Sequence, residues 1–566
     1  MKKINLLLFL ILSSLNCLAQ KYQLQITGQT IAETKIIDSL NYLNKHVDSK
    51  TVIEEITKTQ NLLVKKGFLE ATLIYNVKIN DSSYIAKFEI GDKTTSVLLI
   101  TSLNQKLKKI IEIPKDTTLI PYSNLELFLN EKKNKLTAAG YPLAIVQLSN
   151  ITKNKTFLIA NLDIVENQQK RINTIIVAKN DKANFKFPQG HLNQITKKFR
   201  DTPLTEYSLN KINEEFNKFT FTKQTKYPET LFTKDSTKIY VYLEKQNANS
   251  FDGFIGFNSN EKQKLTLSGY LDLQLVNILN AGEEFKLNWK SNGNNQTTFN
   301  SSLEIPYVLN SPIGLKGQIN IFKQDSTFQN SRASLEASYF IRYNTRIYFG
   351  RESTSSSDIQ NVNNGNISDF KSAFFTATFS YNKRDLDNFM NPNKTNINLK
   401  LGMGRRENTN ALSSDNSSKQ NYIELNSNHT LYFSKKNHFN IKGIFFNLNS
   451  KDYGTNELYR FGGITSIRGF QENSLQAKTY LVVATEYRYL FNSNFYINTV
   501  ADYGYYNLPF TTTSNNFNKN LLSTGLGVGL LTKNGLFKIS AVKNYNKEEK
   551  TNIYNTLIHI SYSITF

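Results

Sequence analysis

The chain has 566 residues, a formal net charge of +22 and 39% hydrophobic residues, and a length of this kind favours more than one domain. Its lysines are spread along the chain without a compact basic cluster, so the charge does not indicate a nucleic-acid partner. The only cysteine is Cys17, near the start of the chain. If it is removed with a leader, the mature protein has neither disulfides nor thiol chemistry.

The chain begins MKKINLLLFLILSSLNCLAQ, which has the pattern of a secretory signal peptide. Two lysines precede an apolar run of about a dozen residues, which is too short to cross a membrane as a helix. We expect cleavage after Ala19, which gives a signal peptide over residues 1–19. A lipoprotein anchor at Cys17 is the alternative, although the asparagine before it is unfavourable for lipidation.

A unit of strand, helix and two strands recurs between residues 20 and 246. In the first unit, the helical stretch VIEEITKTQNLLVKK ends at the pair Gly67-Phe68, and the strands ATLIYNVKIN and SYIAKFEIG follow. The pair recurs as Gly140-Tyr141 after 73 residues, but the third unit lacks it. This period predicts three tandem α/β domains.

The predicted boundaries of these domains are 20–94, 95–167 and 168–246. The third domain starts with the strand RINTIIVAKN, continues with the helix SLNKINEEFNKF and closes with the strand KIYVYLEK. Three unrelated α+β units are the alternative explanation of the same order.

Residues 247–566 change to segments of roughly ten residues with alternating apolar and polar side chains. In the last segment one face carries Ile558, Ile560, Tyr562, Ile564 and Phe566. A soluble β-sandwich also alternates. About sixteen strands, aromatic residues near strand ends and a final strand that ends on Phe566 favour an antiparallel transmembrane β-barrel instead. No later apolar run is long enough for a transmembrane helix, and only closed barrels and helices span lipid.

A long connection over residues 451–478 separates about eleven predicted strands from about five. Loops longer than about 12–15 residues are usually functional or disordered. The connection contains FGGITSIRGFQENSL, in which Gly462, Gly463 and Gly469 suit tight turns or close packing, and in which Arg468 is the single charge before Glu472. We call residues 451–478 the inserted loop.

Two carboxylates are predicted to face the barrel lumen near this loop. The alternation of the adjoining strands TYLVVATEYRYLF and NFYINTVADYGYY places Glu486 and Asp502 on their inward faces. A buried carboxylate needs a partner, and Arg468 on a loop folded into the lumen would supply one. Alternatively, both carboxylates line a water-filled pore, and the physical argument alone leaves the two interpretations open.

Glycines mark two further places in the predicted barrel. In LLSTGLGVGLL, an inward stripe of Gly525, Gly527 and Gly529 is expected to make room for the inserted loop. The first strand, near residues 251–258, contains glycines that weaken its packing and meets the last strand, residues 556–566, at the barrel seam. The glycines of the first strand are Gly253 and Gly256.

The sequence contains no recognisable catalytic set. No G-x-S-x-G, HExxH or phosphate-binding loop is present. The histidines are scattered along the chain: His46, His191, His429, His438 and His559. We therefore expect neither enzymatic activity nor a cofactor.

These features together resemble the BamA/TamA superfamily of outer-membrane assembly proteins. The repeats resemble POTRA domains, and RFGGITSIRGF resembles the family's loop motif. The core positions of that motif are occupied by Arg468, Gly469 and Phe470. Glu486 and Asp502 match the strand positions that hold this arginine in the family. The resemblance implies that Arg468 tethers the loop inside the barrel.

The resemblance also implies location and function. It implies an outer-membrane barrel with its N-terminal domains in the periplasm, and unfolded outer-membrane or secreted proteins as clients that are inserted or translocated without nucleotide. Lipid and accessory proteins of the periplasm or inner membrane are the other expected partners. The closing strand resembles the recognition signal of barrel proteins, carried by Ile560, Tyr562, Ile564 and Phe566.

Two alternative functions remain. A secretion pore for a dedicated partner, like the two-partner secretion transporters, is the first; such transporters typically have two POTRA repeats, so three repeats favour a TamA-like protein. A passive porin is the second, and it would need neither the repeats nor the Arg468 loop.

Overall fold

The computed structural model describes most of the chain beyond the predicted signal peptide, which lies outside the described residues. The described residues are 22–178, 185–259, 265–292, 296–360, 367–385, 388, 390, 393–409, 417–509, 518–533, 535–545 and 556–566. They form two units. One ends at Arg171 and includes Thr202–Ser208, and the other comprises Ile172–Asp201 and Leu209–Phe566.

The first unit contains two α/β domains with the same sheet topology. The elements of the first domain are β1 (Tyr22–Thr27), α1 (Ile31–Asp38), β2 (Lys45–His46), α2 (Ser49–Lys65), β3 (Thr72–Asn80) and β4 (Ser83–Glu89). Those of the second are β5 (Ser96–Ile100), α3 (Gln105–Ile111), β6 (Thr117–Pro121), α4 (Leu125–Ala138), β7 (Ile145–Asn154) and β8 (Phe157–Val165). The strand orders β2-β1-β4-β3 and β6-β5-β8-β7 place a parallel pair at the centre of each sheet.

The repeated Gly-aromatic pair ends the long helix of each of these domains. Gly67 and Gly140 have φ angles of +104° and +89°, a conformation that glycine adopts without steric cost. The following Phe68 and Tyr141 turn back into the apolar cores. The pair therefore fixes both the end of the helix and the first core contact after it.

A third α/β domain follows, with β9 (Thr174–Val177), α5 (Gln189–Phe199), α6 (Glu206–Phe216), β10 (Thr222–Phe232) and β11 (Thr237–Lys245). Its described sheet has the order β10-β11-β9, and β9 pairs with β11 in parallel. None of the helices in the described ranges has the length and apolar character needed to cross a membrane.

The C-terminal region is a closed antiparallel barrel, and its described residues form sixteen strands, as the sequence predicts. The first eleven are β12 (Ser250–Ser259), β13 (Leu265–Val276), β14 (Glu284–Asn292), β15 (Gln296–Ile305), β16 (Ile313–Gln324), β17 (Phe328–Arg342), β18 (Thr345–Asp358), β19 (Phe370–Arg384), β20 (Asn393–Asn408), β21 (Ser417–Tyr432) and β22 (Asn437–Ser450). After the inserted loop, which carries β23 (Tyr459–Phe461) and β24 (Leu475–Ala477), the last five are β25 (Thr479–Leu490), β26 (Phe495–Asn507), β27 (Asn518–Leu531), β28 (Gly535–Tyr545) and β29 (Thr556–Thr565).

The two faces of the barrel wall differ in polarity. Large apolar side chains are exposed on the outer face, among them Phe349, Phe375, Met403, Leu526 and Ile558. The inner face carries hydrogen-bonded polar side chains such as Asn300 and Asn320. An apolar outside with a polar inside is the arrangement that lipid requires of a barrel.

The third α/β domain packs against one end of the barrel through His191 of α5. This side chain is 1% exposed, and aromatic rings surround it: Phe187, Phe219, Tyr307, Phe340 and Tyr343. Tyr307 and Tyr343 belong to connections between barrel strands, so this end is the domain end of the barrel and the opposite end is the far end. The Nδ1 atom of His191 lies 3.2 Å from the Tyr307 hydroxyl oxygen. Its Nε2 atom has no hydrogen-bond partner among the described residues.

We expect the packing of this domain on the barrel to weaken in acid. Burial, with the charge of Arg346 acting in the same direction, lowers the pKa of His191 to about 3. A folded pKa below the ordinary value of about 6.5 means that protonation favours the separated state. The stabilisation is complete above that ordinary value and is lost as the pH falls from about 6.5 towards 3, with about 2 kcal/mol lost at about pH 5.

Deuterium exchange in α5, followed between neutral and acid pH, measures this effect. The control is His191→Phe, which keeps an aromatic ring and cannot be protonated. Its α5 should exchange with little dependence on pH. The same acid-induced loosening in wild type and in the variant would contradict the assignment to His191.

Candidate functional site: the inserted loop and the barrel seam

The inserted loop occupies the connection between the end of β22 at Ser450 and the start of β25 at Thr479. Since β22 runs away from the domain end, the loop enters the barrel from the far end. Within it, β23 and β24 form a short antiparallel hairpin. The predicted position of the loop, after eleven strands and before five, agrees with the structure.

Aromatic side chains pack the hairpin against the inner wall. The ring of Phe461 stacks on Tyr480 of β25 with 4.6 Å between centroids, and Tyr459 packs at 4.6 Å against Phe446 of β22. Ile467 and Phe470 are buried in the same apolar cluster. The loop is therefore a packed part of the barrel interior.

Arg468 lies between the two predicted carboxylates. Its backbone N–H and Nε donate hydrogen bonds to Oδ2 of Asp502 at 3.0 and 2.8 Å, and Nη2 donates to Oδ1 of the same carboxylate. Nη1 donates to Glu486, and Nη2 also reaches the carbonyl oxygen of Thr485 at 3.2 Å. The other oxygen of Glu486 accepts hydrogen bonds from Arg488.

The cluster joins three segments of the chain in a place with little water. Asp502 is 0% exposed and Arg468 is 7% exposed. A charge buried this deeply is tolerated because each oxygen of Asp502 accepts a hydrogen bond from the arginine. The structure thus brings together Arg468, Glu486 and Asp502 on the inward faces that strand alternation predicts.

The glycines of the loop motif are required by its backbone. Gly462, Gly463 and Gly469 have φ angles of +114°, +94° and +83°, which other residues rarely adopt. Beside Asp502, a Cβ atom on Gly504 would lie 2.9 Å from the side chain of Ile467. Gly504 therefore makes room for the loop.

The predicted glycine stripe lies on the inward face of β27 and packs closely against the neighbouring strands. Gly525, Gly527 and Gly529 lie on the same face of β27 as Ser523, which is fully buried. The nearest atoms to an added Cβ, however, belong to the neighbouring strands β26 and β28, in residues Tyr496, Asn498, Ile539, Ser540, Ala541 and Val542. The closest neighbours of the stripe are thus side chains and backbone of the barrel wall, and a role in making room for the loop stays a prediction.

A second anchor of the loop was not predicted from the sequence. The side-chain amide of Asn456 donates to the Ser356 hydroxyl at 2.7 Å and to the Ser368 backbone carbonyl at 2.8 Å. The backbone carbonyl oxygen of Asn456 accepts a hydrogen bond from the Asn330 side-chain amide at 2.6 Å. Asn456 is 1% exposed. These contacts fix the loop to β17 and to both ends of the β18–β19 connection.

Glu457 continues this anchor to the next two strands. Its carboxylate accepts a hydrogen bond from Gln420 of β21 at 2.5 Å and lies 3.4 Å from Arg406 of β20. The loop is thus fixed at two separate stretches of wall, β17–β21 and β25–β26. Glu457 contacts these strands only because the barrel closes around the loop. No periodic pattern in the sequence therefore predicted its contacts with Arg406 and Gln420.

The seam between the first and last strands is short. Only three register pairs join β12 to β29 in the described residues, from Ser250 with Thr565 to Asp252 with Ser563. By contrast, β12 shares ten pairs with β13, and β28 shares nine with β29. The paired part lies at the domain end, where Asn249 and Phe566 also exchange both backbone hydrogen bonds at 3.2 and 2.9 Å.

The predicted seam residues take different places around this ladder. Gly253 begins the unpaired part of β12, and a Cβ there would lie 2.6 Å from the carbonyl oxygen of Tyr270 on β13. Gly256 pairs with Ser268 of the same neighbour. In the closing strand, Ile564 pairs with Phe251 in the seam ladder. The hydroxyl oxygen of Tyr562 lies 3.2 Å from that of Thr532. The side chains of Ile560 and Phe566 are exposed.

A polar cavity of about 910 Å³ lies in the lumen beside the loop. Its charged lining includes Lys290, Lys316, Arg332, Glu336, Glu352 and Lys400. Asp252 of β12 and Ser561 of β29 also line it, so the cavity reaches both sides of the seam. Because this lining carries charges of both signs, the cavity can accommodate the polar groups of a polypeptide, and it does not define a binding site for one ligand.

Comparison with known proteins places this architecture in a family. Residues 277–566, just over half of the chain, match the model of the Omp85 superfamily domain. No curated protein sequence matches the chain significantly.

Solved structures with a similar fold share little sequence with the chain. BamA from Haemophilus ducreyi, in a form lacking POTRA domains 1–3, is 17% identical, with 83% of this chain and 99% of that chain covered and a TM-score of 0.49. CdiB from Acinetobacter baumannii is 13% identical, with 84% and 90% covered and a TM-score of 0.49. CdiB from Escherichia coli is 12% identical, with 90% and 98% covered and a TM-score of 0.48.

The match to the family model spans the strands from β14 to β29, together with the inserted loop and the carboxylates that hold it. The chain belongs to the Omp85 superfamily, and it is an outer-membrane β-barrel protein of polypeptide insertion or translocation.

Proposed function

We propose that this protein inserts client β-strands into the outer membrane through its seam. The observation that carries the proposal is the short ladder between the first and last strands, three register pairs where adjacent ladders have nine or ten. No register pair joins residues 253–259 to residues 556–562 across the seam in the described part of the chain. Unpaired strand edges are templates for another strand.

A client strand would exchange hydrogen bonds with these edges without leaving backbone groups unpaired in lipid. Pairing with a client strand forms ladder bonds along the unpaired parts of β12 and β29 and replaces the three register pairs of the seam, so the step needs no nucleotide and no catalytic residue. The polar lumen cavity, which reaches the seam, gives the client's polar face a wet surface during this exchange. We therefore assign the protein a role without enzymatic chemistry.

The α/β domains are proposed to lie in the periplasm and to receive clients there. In the first domain, β3 is an edge strand, and all nine of its residues are exposed. Its apolar side chains include Tyr75, Val77 and Ile79. An extended client segment adds to such an edge through main-chain hydrogen bonds, while its side chains meet the apolar stripe.

Export of a dedicated partner through the lumen is the second candidate function. The polar cavity of about 910 Å³ favours it. The two anchors of the inserted loop oppose it, because an unfolded chain would have to displace the packed hairpin from the lumen.

Depletion of the protein followed by outer-membrane proteomics tests the proposal. Insertion predicts a loss of several unrelated barrel proteins from the outer membrane. Export predicts the loss of one secreted protein with the barrels unchanged. An unchanged outer membrane and secretome would contradict both candidates, and re-expression of the wild-type chain is the control.

A further inference from the structure

We infer that the inserted loop braces the unpaired part of the seam from inside the barrel. Gly469 contacts the last two barrel strands, β28 and β29, and Glu472 contacts the third barrel strand, β14. The residues that complete the brace are Asn544, His559 and Lys290. Under the proposed function, on which its relevance to clients rests, they are positioning residues that set how readily the seam opens.

On one side of the seam the loop holds the two closing strands through its backbone. The N–H of Gly469 donates to Nε2 of His559 on β29 at 3.3 Å, and its carbonyl oxygen accepts from the Asn544 amide on β28 at 2.7 Å. The approach is close, since a Cβ on Gly469 would lie 3.2 Å from Cβ of Ser523 and 3.3 Å from Val542. The backbone N–H and the backbone carbonyl of Gly469 therefore both form hydrogen bonds to the last two strands.

On the other side the loop holds β14 through an ion pair. The Nζ atom of Lys290 lies 2.7 Å from Oε2 of Glu472, and the two side chains are 28% and 24% exposed. Glu472 is only three residues beyond Gly469. A short piece of loop thus reaches across from the last strand to the third strand of the barrel.

The brace lies at the level where the strand ladder stops. The three seam pairs end at Asp252 with Ser563. Continuing that register would set residue 256 opposite His559, the residue that Gly469 contacts. Lys290 is level with residue 254, because it pairs with Tyr270, which in turn pairs with that position. The loop contacts therefore stand where inter-strand hydrogen bonds are missing.

The neighbouring anchor decides which contact gives way. Arg468, adjacent to Gly469, is fixed to Glu486 and Asp502 on β25 and β26. The loop therefore stays with the C-terminal strands when the seam separates. The contact that breaks is then the Lys290–Glu472 ion pair.

Deuterium exchange at the seam amides of full-length protein in lipid vesicles tests the brace, because their exchange rate rises in proportion to seam opening. Lys290→Glu and Glu472→Lys should each accelerate exchange in residues 249–252 and 563–566 about fivefold, the scale of one partly buried ion pair. The double variant with both substitutions should return to within about twofold of wild type. Lys316→Glu, which changes another lumen lysine 3.7 Å from its carboxylate partner, is the matched control and should leave the seam unchanged.

A second pair of variants tests the other side of the brace. His559→Leu removes the acceptor for the Gly469 N–H and should accelerate seam exchange, whereas His559→Gln keeps an acceptor and should restore slow exchange. Unchanged seam exchange in the single variants, or failure of the charge swap to restore it, would overturn the brace. Accelerated exchange with unchanged client insertion would support the brace and count against the proposed insertion function instead.

Discussion

Arg468→Glu is expected to leave the protein without a stable barrel. The substitution places a third carboxylate against Glu486 and the fully buried Asp502, and it removes every hydrogen bond that the guanidinium donates to them. Removing one partner of a buried ion pair costs about 3–5 kcal/mol, and charge reversal adds repulsion to that loss. The free energy of unfolding of a native domain is only about 5–15 kcal/mol in total.

The temperature at which the folded barrel converts to the unfolded form on a semi-native gel measures this effect. Arg405→Glu, at an exposed arginine of β20, is the matched control and should resemble wild type. Adding Asp502→Arg to Arg468→Glu should restore part of the stability, since it re-creates an opposite pair at the same place. Wild-type behaviour of Arg468→Glu would refute the tether and leave the barrel assignment intact.

A disulfide across the seam is expected to stop client insertion more completely than any single substitution outside the tether. Asn249 and Phe566 exchange both backbone hydrogen bonds, so Asp252 and Ser563, three steps further along, form a non-hydrogen-bonded pair. Their Cα atoms are then about 4.5 Å apart, within the range of about 4.4–6.8 Å that a disulfide spans. The single native cysteine, Cys17, falls in the predicted signal peptide and would not compete.

The variant Asp252→Cys/Ser563→Cys should fold and form the disulfide. Its rate of inserting barrel clients into vesicles should fall at least about tenfold, because the seam can no longer separate to accept a strand. A reductant should restore insertion, which also controls for the loss of the Asp252 contact with Tyr270. The matched control is Asn300→Cys/Asn320→Cys, which links two touching lumen residues of β15 and β16 away from the seam. Full insertion by the oxidised seam variant would refute lateral opening.

The barrel and its two inward carboxylates were accessible to sequence reasoning because strand alternation has a period of two. That period alone sets Glu486 and Asp502 on the inner face, whereas their pairing with Arg468 was implied by the family resemblance. The helix α1 was missed, although Thr30 and Glu33 form a capping box at the start of this eight-residue helix, which the sequence displays. Its apolar face is short, so the periodicity was weaker than the capping signal.

Other contacts had no local signal. Glu457 meets Arg406 and Gln420, and Glu472 meets Lys290, only because the closed barrel brings distant strands around one loop. The glycine stripe shows the same limit. Alternation gave its face correctly, but only the packed neighbours Tyr496 and Val542 reveal what occupies the space.

The position of the inserted loop also bears on the order in which the barrel folds. Its partners run from Lys290 on the third strand to His559 on the last, and its two anchors lie on β17–β21 and on β25–β26. We therefore expect the hairpin to be captured while the sheet is still open and the strands to close into a barrel last. Contacts over such sequence separations are slow to form. In this order of events, the barrel sheet closes around the inserted loop as the protein folds.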